Sequence, residues 1–460
     1  MLTSWPLPCG AAVVQVNKVR IGAPQRMSRV RDRRRRGLTS AIVLGAGLLA
    51  LLAGEADAAV TDRPYPTPVA HGSAAARTAV SAGELGAALG KAFRGRGGAW
   101  VADAGTNQVL FQRGAGKARA LASNMKLFTT ATAVARFGPE ERLETTVWAA
   151  DDHSDGVVSE GLFLVGAGDP TLSTAGLTKL AARVRSAGVT SVQGPLLYDD
   201  FFLDQRSTVP QHGIRREGVG ALSALTLSGA AGAKTAAQRF DQALRRAGVA
   251  VAKKVRRRAA PPESAGAKQV AVLESPTLAD LARRTNVPSN NYLAEMLLKV
   301  VGGAFGGAGT TRGGVGAVQR FVAEQGGSVR AENGSGLSRR DTASPASVGA
   351  LLDSMVDVDP NDPPEKQLEQ ERRRDAWVSS LAVAGRSGTL AHRMRGTAAA
   401  GNCRAKTGTL NGVSALSGYC FRGPMDAEHA VVFSILMSGD VGRAHRVQDQ
   451  MTALIARYSP

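Results

Sequence analysis

The chain has 460 residues, 43% hydrophobic and only 5% aromatic, and its 57 Lys and Arg against 38 Asp and Glu give a net charge of +19. These numbers fit an ordinary globular protein of two or three domains. No aromatic-interleaved basic stripe or nucleic-acid motif accompanies the charge, so no nucleic-acid partner is expected.

The first 58 residues do not read as part of the globule. Arg29, Arg31 and Arg33 to Arg36 form a basic cluster, the apolar run Ala41 to Ala53 follows, and Ala56-Asp57-Ala58 closes it. That order of basic, apolar and small-x-small segments predicts a secretory signal cleaved after Ala58. An uncleaved anchor is the alternative, although the apolar run is shorter than the ~20 residues a spanning helix needs. Export to the periplasm or cell wall is expected either way, with membrane association left open. Cleavage leaves 48 basic and 35 acidic side chains, a charge of +13. Such a balance suits electrostatic association with anionic wall polymers or a membrane surface. Arginine scattered through an Ala/Gly-rich sequence is the simpler reading.

After a polar lead-in, "AWVADAGTNQVLFQRG" predicts a hairpin about Ala104-Gly105. A helix is expected from about Asn124 to Phe137, ended by Gly138-Pro139. Residues 141–267 alternate strand-like runs with short helices and end in "KKVRRRAAPPESAG", which reads as a linker. Two helices broken at Pro288 come next, and "PNDPPEKQLEQERRRD" is expected to be a solvated loop or short exposed helix. An apolar strand, "AVVFSILMSG", and a last helix from about Arg443 to Arg457 complete the chain. Strands at both ends with helices between them suggest an α+β domain built on an antiparallel sheet. The expected division is 59–140 with 268–460 as one domain, and 141–267 as a smaller α/β insertion.

Two cysteines remain after export, and an even number in an exported chain points toward a disulfide. Between them "CRAKTGTLNGVSALSGYC" carries Asn411-Gly412, a strong signal for a two-residue hairpin turn. Pairing about that turn sets Leu410 opposite Val413 and Cys403 opposite Cys420, close enough for a bridge. Two free thiols are the alternative.

The chemistry begins at "SNMKLFTTATA". Ser123 and Lys126 are three apart, on one face of a helix. A serine hydroxyl needs a base to take its proton, and a lysine can be that base when burial or neighbouring positive charge lowers its pKa. Alone, the pair also fits a helix N-cap with a surface lysine. Two further motifs follow in order: Ser289-Asn290-Asn291 where one helix ends and another begins, and Lys406-Thr407-Gly408 on a strand nearing the hairpin turn. S-x-x-K, S-x-N and K-T-G in that order are shared by penicillin-binding proteins and class A β-lactamases.

With these motifs the stretches "GAGDPTL", "SNNYLAEMLLK", "NGSGLSR" and "GTLAHRM" make residues 80 to 440 resemble the low-molecular-mass class C penicillin-binding proteins, the D-alanyl-D-alanine carboxypeptidase/endopeptidase family. The resemblance implies a transpeptidase-type fold and a serine peptidase that trims peptidoglycan stem peptides and is acylated by β-lactams. It implies Ser123 as nucleophile, Lys126 as base and Ser289 as proton relay. It further implies Asn291, Lys406, Thr407, Gly408 and Thr409 around the substrate, and the backbone N–H groups of Ser123 and Thr409 as the oxyanion hole. Neither a metal nor a cofactor is expected. Only 166 residues separate Ser123 from Ser289, fewer than in well-known members, so part of the usual insertion is reduced. Asn333 stands where many relatives have Asp. A β-lactamase would need a base for deacylation, and no E-x-x-L-N stretch lies between Ser123 and Ser289. A non-catalytic wall-binding scaffold is the remaining alternative.

Overall fold

The computed structural model describes residues 80–204, 220–261 and 266–459. The expected signal segment lies outside these residues.

In chain order, α1 (Ala82–Ala92) leads into the hairpin of β1 (Arg96–Asp103) and β2 (Gln108–Arg113). A short β3 (Arg119–Ala120) precedes α2 (Met125–Phe137). Next come β4 (Arg142–Ala149), β5 (Val157–Val158), β6 (Leu162–Gly166), α3 (Thr174–Ser186), β7 (Ser191–Asp199), α4 (Ala233–Arg246), β8 (Ala250–Arg257) and β9 (Lys268–Thr277). Helices α5 (Leu278–Asn286), α6 (Asn291–Phe305) and α7 (Thr311–Glu324) follow, then β10 (Val329–Arg330), β11 (Thr342–Ala343), α8 (Pro345–Ser354) and α9 (Pro364–Ser379). The chain ends with β12 (Ala382–Val383), β13 (Cys403–Leu410), β14 (Val413–Phe421), β15 (Ala430–Ser438) and α10 (Val441–Ile455).

One antiparallel sheet runs β12-β13-β14-β15-β1-β2 and joins the two ends of the chain. Side chains alternate across it, so each central strand feeds two cores. On one side Val101, Cys403, Leu416 and Phe433 pack with α1 and α10. On the other Ala415, Tyr419 and Leu436 pack with Phe128 of α2 and Leu352 of α8. The expected register holds from Leu410↔Val413 to Cys403↔Cys420, and the two cysteines are bonded, their Cα atoms 4.0 Å apart.

A second, mixed sheet, β5-β7-β6-β4-β9 with β8 on the other side of β7, has α3 and α4 packed on it through Leu177, Leu180, Phe240 and Leu244. Two expectations are corrected here. The basic run Lys253–Arg257 is not a linker but the outer half of β8, in parallel register with β7. Charged side chains on an edge strand leave its free edge soluble and discourage pairing with another chain. Nor does the inserted region stop at residue 267: β9 pairs with β4 from Arg142↔Thr277 to Ala149↔Lys268, so the sheet continues to Thr277. The charged stretch after Pro363 forms a full helix, α9, in which only Trp377 and Val378 are buried.

Candidate active site

A 3-10 turn over Ala122–Asn124 delivers the chain into α2. Ala122 lies in the left-handed region (φ 46°), a costly conformation for a residue with a Cβ. Every residue of α2 from Met125 to Val134 is buried, as expected for a helix running through the middle of a domain. Lys126 is therefore enclosed, with 0% exposure. Its Nζ donates to Ser123 Oγ at 2.9 Å, Asn291 Oδ1 at 2.7 Å and the Ser335 carbonyl at 2.7 Å. Burial lowers its pKa from 10.5 to about 7, while the carboxylates of Glu295 and Asp341 act in the opposite direction. The cap-and-surface-lysine reading fails here: the N-cap of α2 is Asn124, without a side-chain cap bond, and the lysine has no access to water.

Between α5 and α6, Ser289 is also held at positive φ (63°). Asn290 caps α6 by accepting from Leu293 N at 3.0 Å, and Asn291 opens the helix facing Lys126. Of the two functional residues in this motif, Asn291 shares a hydrogen bond with Lys126. The Ser289 hydroxyl is not one of the three partners of the ammonium.

The third motif enters on β13. Lys406 is fully buried, and its Nζ donates to the Thr407 carbonyl at 2.9 Å. Burial first, and the charge of Lys126 second, hold its pKa well below the ordinary lysine value. Burial, rather than the neighbouring lysine, is thus the leading cause of the shift at Lys126. The strand is tied to the nucleophile turn by Asn124 Nδ2, which donates to the Lys406 carbonyl at 2.8 Å. Gly408 makes this approach feasible: a Cβ there would lie 2.6 Å from the Leu121 carbonyl and 3.1 Å from Asn124 N.

The orientation of the β13 edge follows from its pairing. Ala384 N donates to the Cys403 carbonyl, so the backbone of Cys403 faces β12. Alternation then turns the N–H and C=O of Thr407 and Thr409 away from β14 as well. Pairing with β12 covers only Arg404 and Ala405, so this edge is unpaired by β12 at Thr407 and Thr409, and Thr409 is exposed.

Four contributors were missed in the sequence. Glu295 accepts the N–H groups of Gly334 and Ser335. Ser335 contributes a main-chain carbonyl rather than its hydroxyl. Asp341 is buried beneath the same loop and is pushed up to about 7 by burial. Thr389 accepts from Thr407 Oγ1 at 2.8 Å. Only Glu295 carried a signal, its i,i+4 spacing from Asn291 on α6. Among the described residues, no group of three or more His, Cys, Asp or Glu side chains could hold a metal ion.

A buried lysine whose Nζ is bonded to a serine hydroxyl and two further acceptors is equipped to remove that hydroxyl's proton. Known proteins show the same arrangement of chain. The profile of the D-Ala-D-Ala carboxypeptidase 3 (S13) family matches residues 86–221 and 217–458. A D-alanyl-D-alanine carboxypeptidase of Actinomadura sp. (strain R39) is 31% identical over 454 residues, covering 79% of this chain and 81% of the relative. Carboxypeptidase DacB of Mycolicibacterium smegmatis is 28% identical over 438 residues, 86% of each chain. Among solved structures, penicillin-binding protein 4 of Haemophilus influenzae superposes with a TM-score of 0.63 at 18% identity, over 80% of this chain and 98% of its own.

Proposed function

For this chain, which belongs to the D-Ala-D-Ala carboxypeptidase 3 (S13) family and is a serine-type D-Ala-D-Ala carboxypeptidase, we propose that Ser123 is the nucleophile and Lys126 its general base. The observation that carries this reading is the partner set of Lys126. A neutral amine has two N–H groups and one lone pair. Asn291 Oδ1 and the Ser335 carbonyl can only accept, so they take both N–H groups. The lone pair is then left for the Ser123 hydroxyl, which reverses the direction of that hydrogen bond and readies the proton for transfer.

Ser123 Oγ attacks the carbonyl between the two D-alanines of a peptidoglycan stem peptide, and Lys126 takes its proton. The tetrahedral oxyanion lies between the backbone N–H groups of Ser123 and Thr409, where one donor is worth ~3 kcal/mol. The C–N bond breaks, Ser289 passes a proton to the departing amine, and D-alanine leaves. Water then attacks the ester, returning Ser123 and releasing the shortened peptide. Lys406 places positive charge near the substrate's terminal carboxylate, with the Thr407 and Thr409 hydroxyls as donors. Asn291 holds the substrate amide. A β-lactam offers the same carbonyl in a ring whose amine cannot leave, which yields a long-lived acyl-enzyme.

The same steps cleave a cross-link when the departing amine belongs to a second stem peptide. The catalytic domain is interrupted by an inserted domain centred on the sheet from Arg142 to Thr277. The protein works outside the cytoplasm, its positive charge favouring contact with anionic wall polymers. No helix of the described residues is long and apolar enough to cross a membrane.

Incubation with a labelled penicillin tests the reading. A long-lived adduct on Ser123, absent from a folded Ser123→Ala variant, is expected. Rapid turnover of the label would indicate a β-lactamase, and absence of any adduct would contradict the acyl-enzyme route.

A further inference from the structure

Behind Lys126 the core holds carboxylates that the reaction as written does not use. Glu295, one helical turn beyond Asn291, is 1% exposed. One of its oxygens accepts Gly334 N–H at 3.2 Å and the other accepts Ser335 N–H at 2.9 Å. The carbonyl of that same Ser335 receives Lys126 Nζ at 2.7 Å. The loop is held at its other points without a second strong anion. Asn333 Oδ1 accepts Gly336 N–H at 2.8 Å, and Asp341 Oδ1 accepts Glu332 N–H at 2.6 Å and Asn333 N–H at 3.3 Å. Gly336 (φ 83°) lets the loop close on the nucleophile turn, since a Cβ there would lie 1.8 Å from the Ala122 carbonyl.

Neutral acceptors would satisfy two backbone N–H groups at far lower desolvation cost than a buried carboxylate. What a carboxylate adds is a single rigid group that accepts both, and a negative charge close to the base. We propose that Glu295 is a positioning residue for acylation: it clamps the Gly334–Ser335 peptide so that Ser335 holds Lys126 against Ser123, and its charge sets the pH at which Lys126 becomes a base. This rests on Lys126 being the general base.

The charged groups around the pair are few. Lys126 is faced by Glu295 from α6, Asp341 from the residue before β11 and Lys406 from β13. Glu295 is faced by Lys126, by Lys299 one turn along its own helix, and by Asp341. Burial raises the pKa of Glu295, but its accepted hydrogen bonds and Lys126 favour the ionised form. An anion beside the ammonium favours the protonated lysine and so opposes burial. Removing that charge therefore lets Lys126 lose its proton at lower pH.

The test is the pH profile of acylation by labelled penicillin for the wild type, Glu295→Gln and Glu295→Asp. A Gln side chain can accept only one of the two N–H bonds, so the plateau rate falls about tenfold or more. Its rising limb moves about one pH unit lower. Glu295→Asp keeps the charge but shortens the reach, so its plateau falls while its limb stays within a few tenths of wild type. A Glu295→Gln limb that stays in place, or a Glu295→Asp limb that moves down, overturns the proposal. Should the Gln variant not fold, a wild-type plateau in Glu295→Asp overturns the clamp by itself. A wild type that takes no label at any pH overturns the general-base assignment and this proposal with it.

Discussion

Two buried lysines, Lys126 on α2 and Lys299 on α6, differ in what they touch, and the difference separates a base from a strut. Both have 0% exposure, and burial lowers the pKa of both. Lys299 donates to the Asp204 carbonyl at 2.9 Å and also forms an ion pair with the Asp204 side chain, which pushes its pKa back up. Lys126 touches only a hydroxyl, an amide oxygen and a carbonyl, and its carboxylates act without contact. A lysine in contact with a carboxylate keeps its proton and ties two segments together. A lysine held by neutral acceptors can give the proton up near neutrality.

The comparison is broken most sharply by exchanging losses. Lys126→Ala is expected to fold and to lose penicillin acylation by about a thousandfold or more, because removing one member of a nucleophile–base pair disables the whole unit. Lys299→Met should acylate within a few-fold of wild type but unfold more readily, by roughly 1–2 kcal/mol in a denaturant titration, since Asp204 is left with access to water. If Lys299→Met also abolished acylation with its fold intact, the distinction would fail.

Smaller effects sharpen the picture of how the site is held. Gly408→Ala should cost about 1–3 kcal/mol of stability and slow acylation, because its Cβ collides with the Leu121 carbonyl. Normal acylation in that variant would mean that β13 does not need its close approach to the nucleophile turn. Replacing both Cys403 and Cys420 by Ser removes a bond closing a separation of 17 residues. A loss of up to ~3 kcal/mol in thermal or denaturant unfolding is expected, with acylation retained below the melting range.

Stability should also follow the titration of Lys126. Its folded pKa of about 7 lies below the ordinary 10.5, so the unfolded chain binds the extra proton between these values. The cost of burying it is full below pH 7 and is relieved as the pH rises toward 10.5. Any stability advantage of Lys126→Met over wild type should therefore shrink across that window.

What could be read in the sequence was local. The motifs, the break at Pro288 and the hairpin about Asn411-Gly412 each depend on a few adjacent residues, and the cysteine pairing follows from register alone. The misreadings arose where context decides. The Lys253–Arg257 run has the composition of a linker, and only its pairing with β7 makes it an edge strand. The Ser335 carbonyl carries no side-chain signature, because any residue supplies one. Glu295 looked like one more helical acid until the Gly334–Ser335 loop folded onto it. Even at Lys126, sequence pointed to the lysine but ascribed its lowered pKa partly to Lys406, whereas burial is the larger cause.

The central claim is that Lys126 is neutral at working pH, and the rate of Ser123 acylation by labelled penicillin from pH 5 to 10 tests it most directly. The account predicts a rate that rises with pH and is half-maximal near pH 7, the value to which burial brings this lysine. A rate flat through pH 7 that rises only toward pH 10 would contradict it.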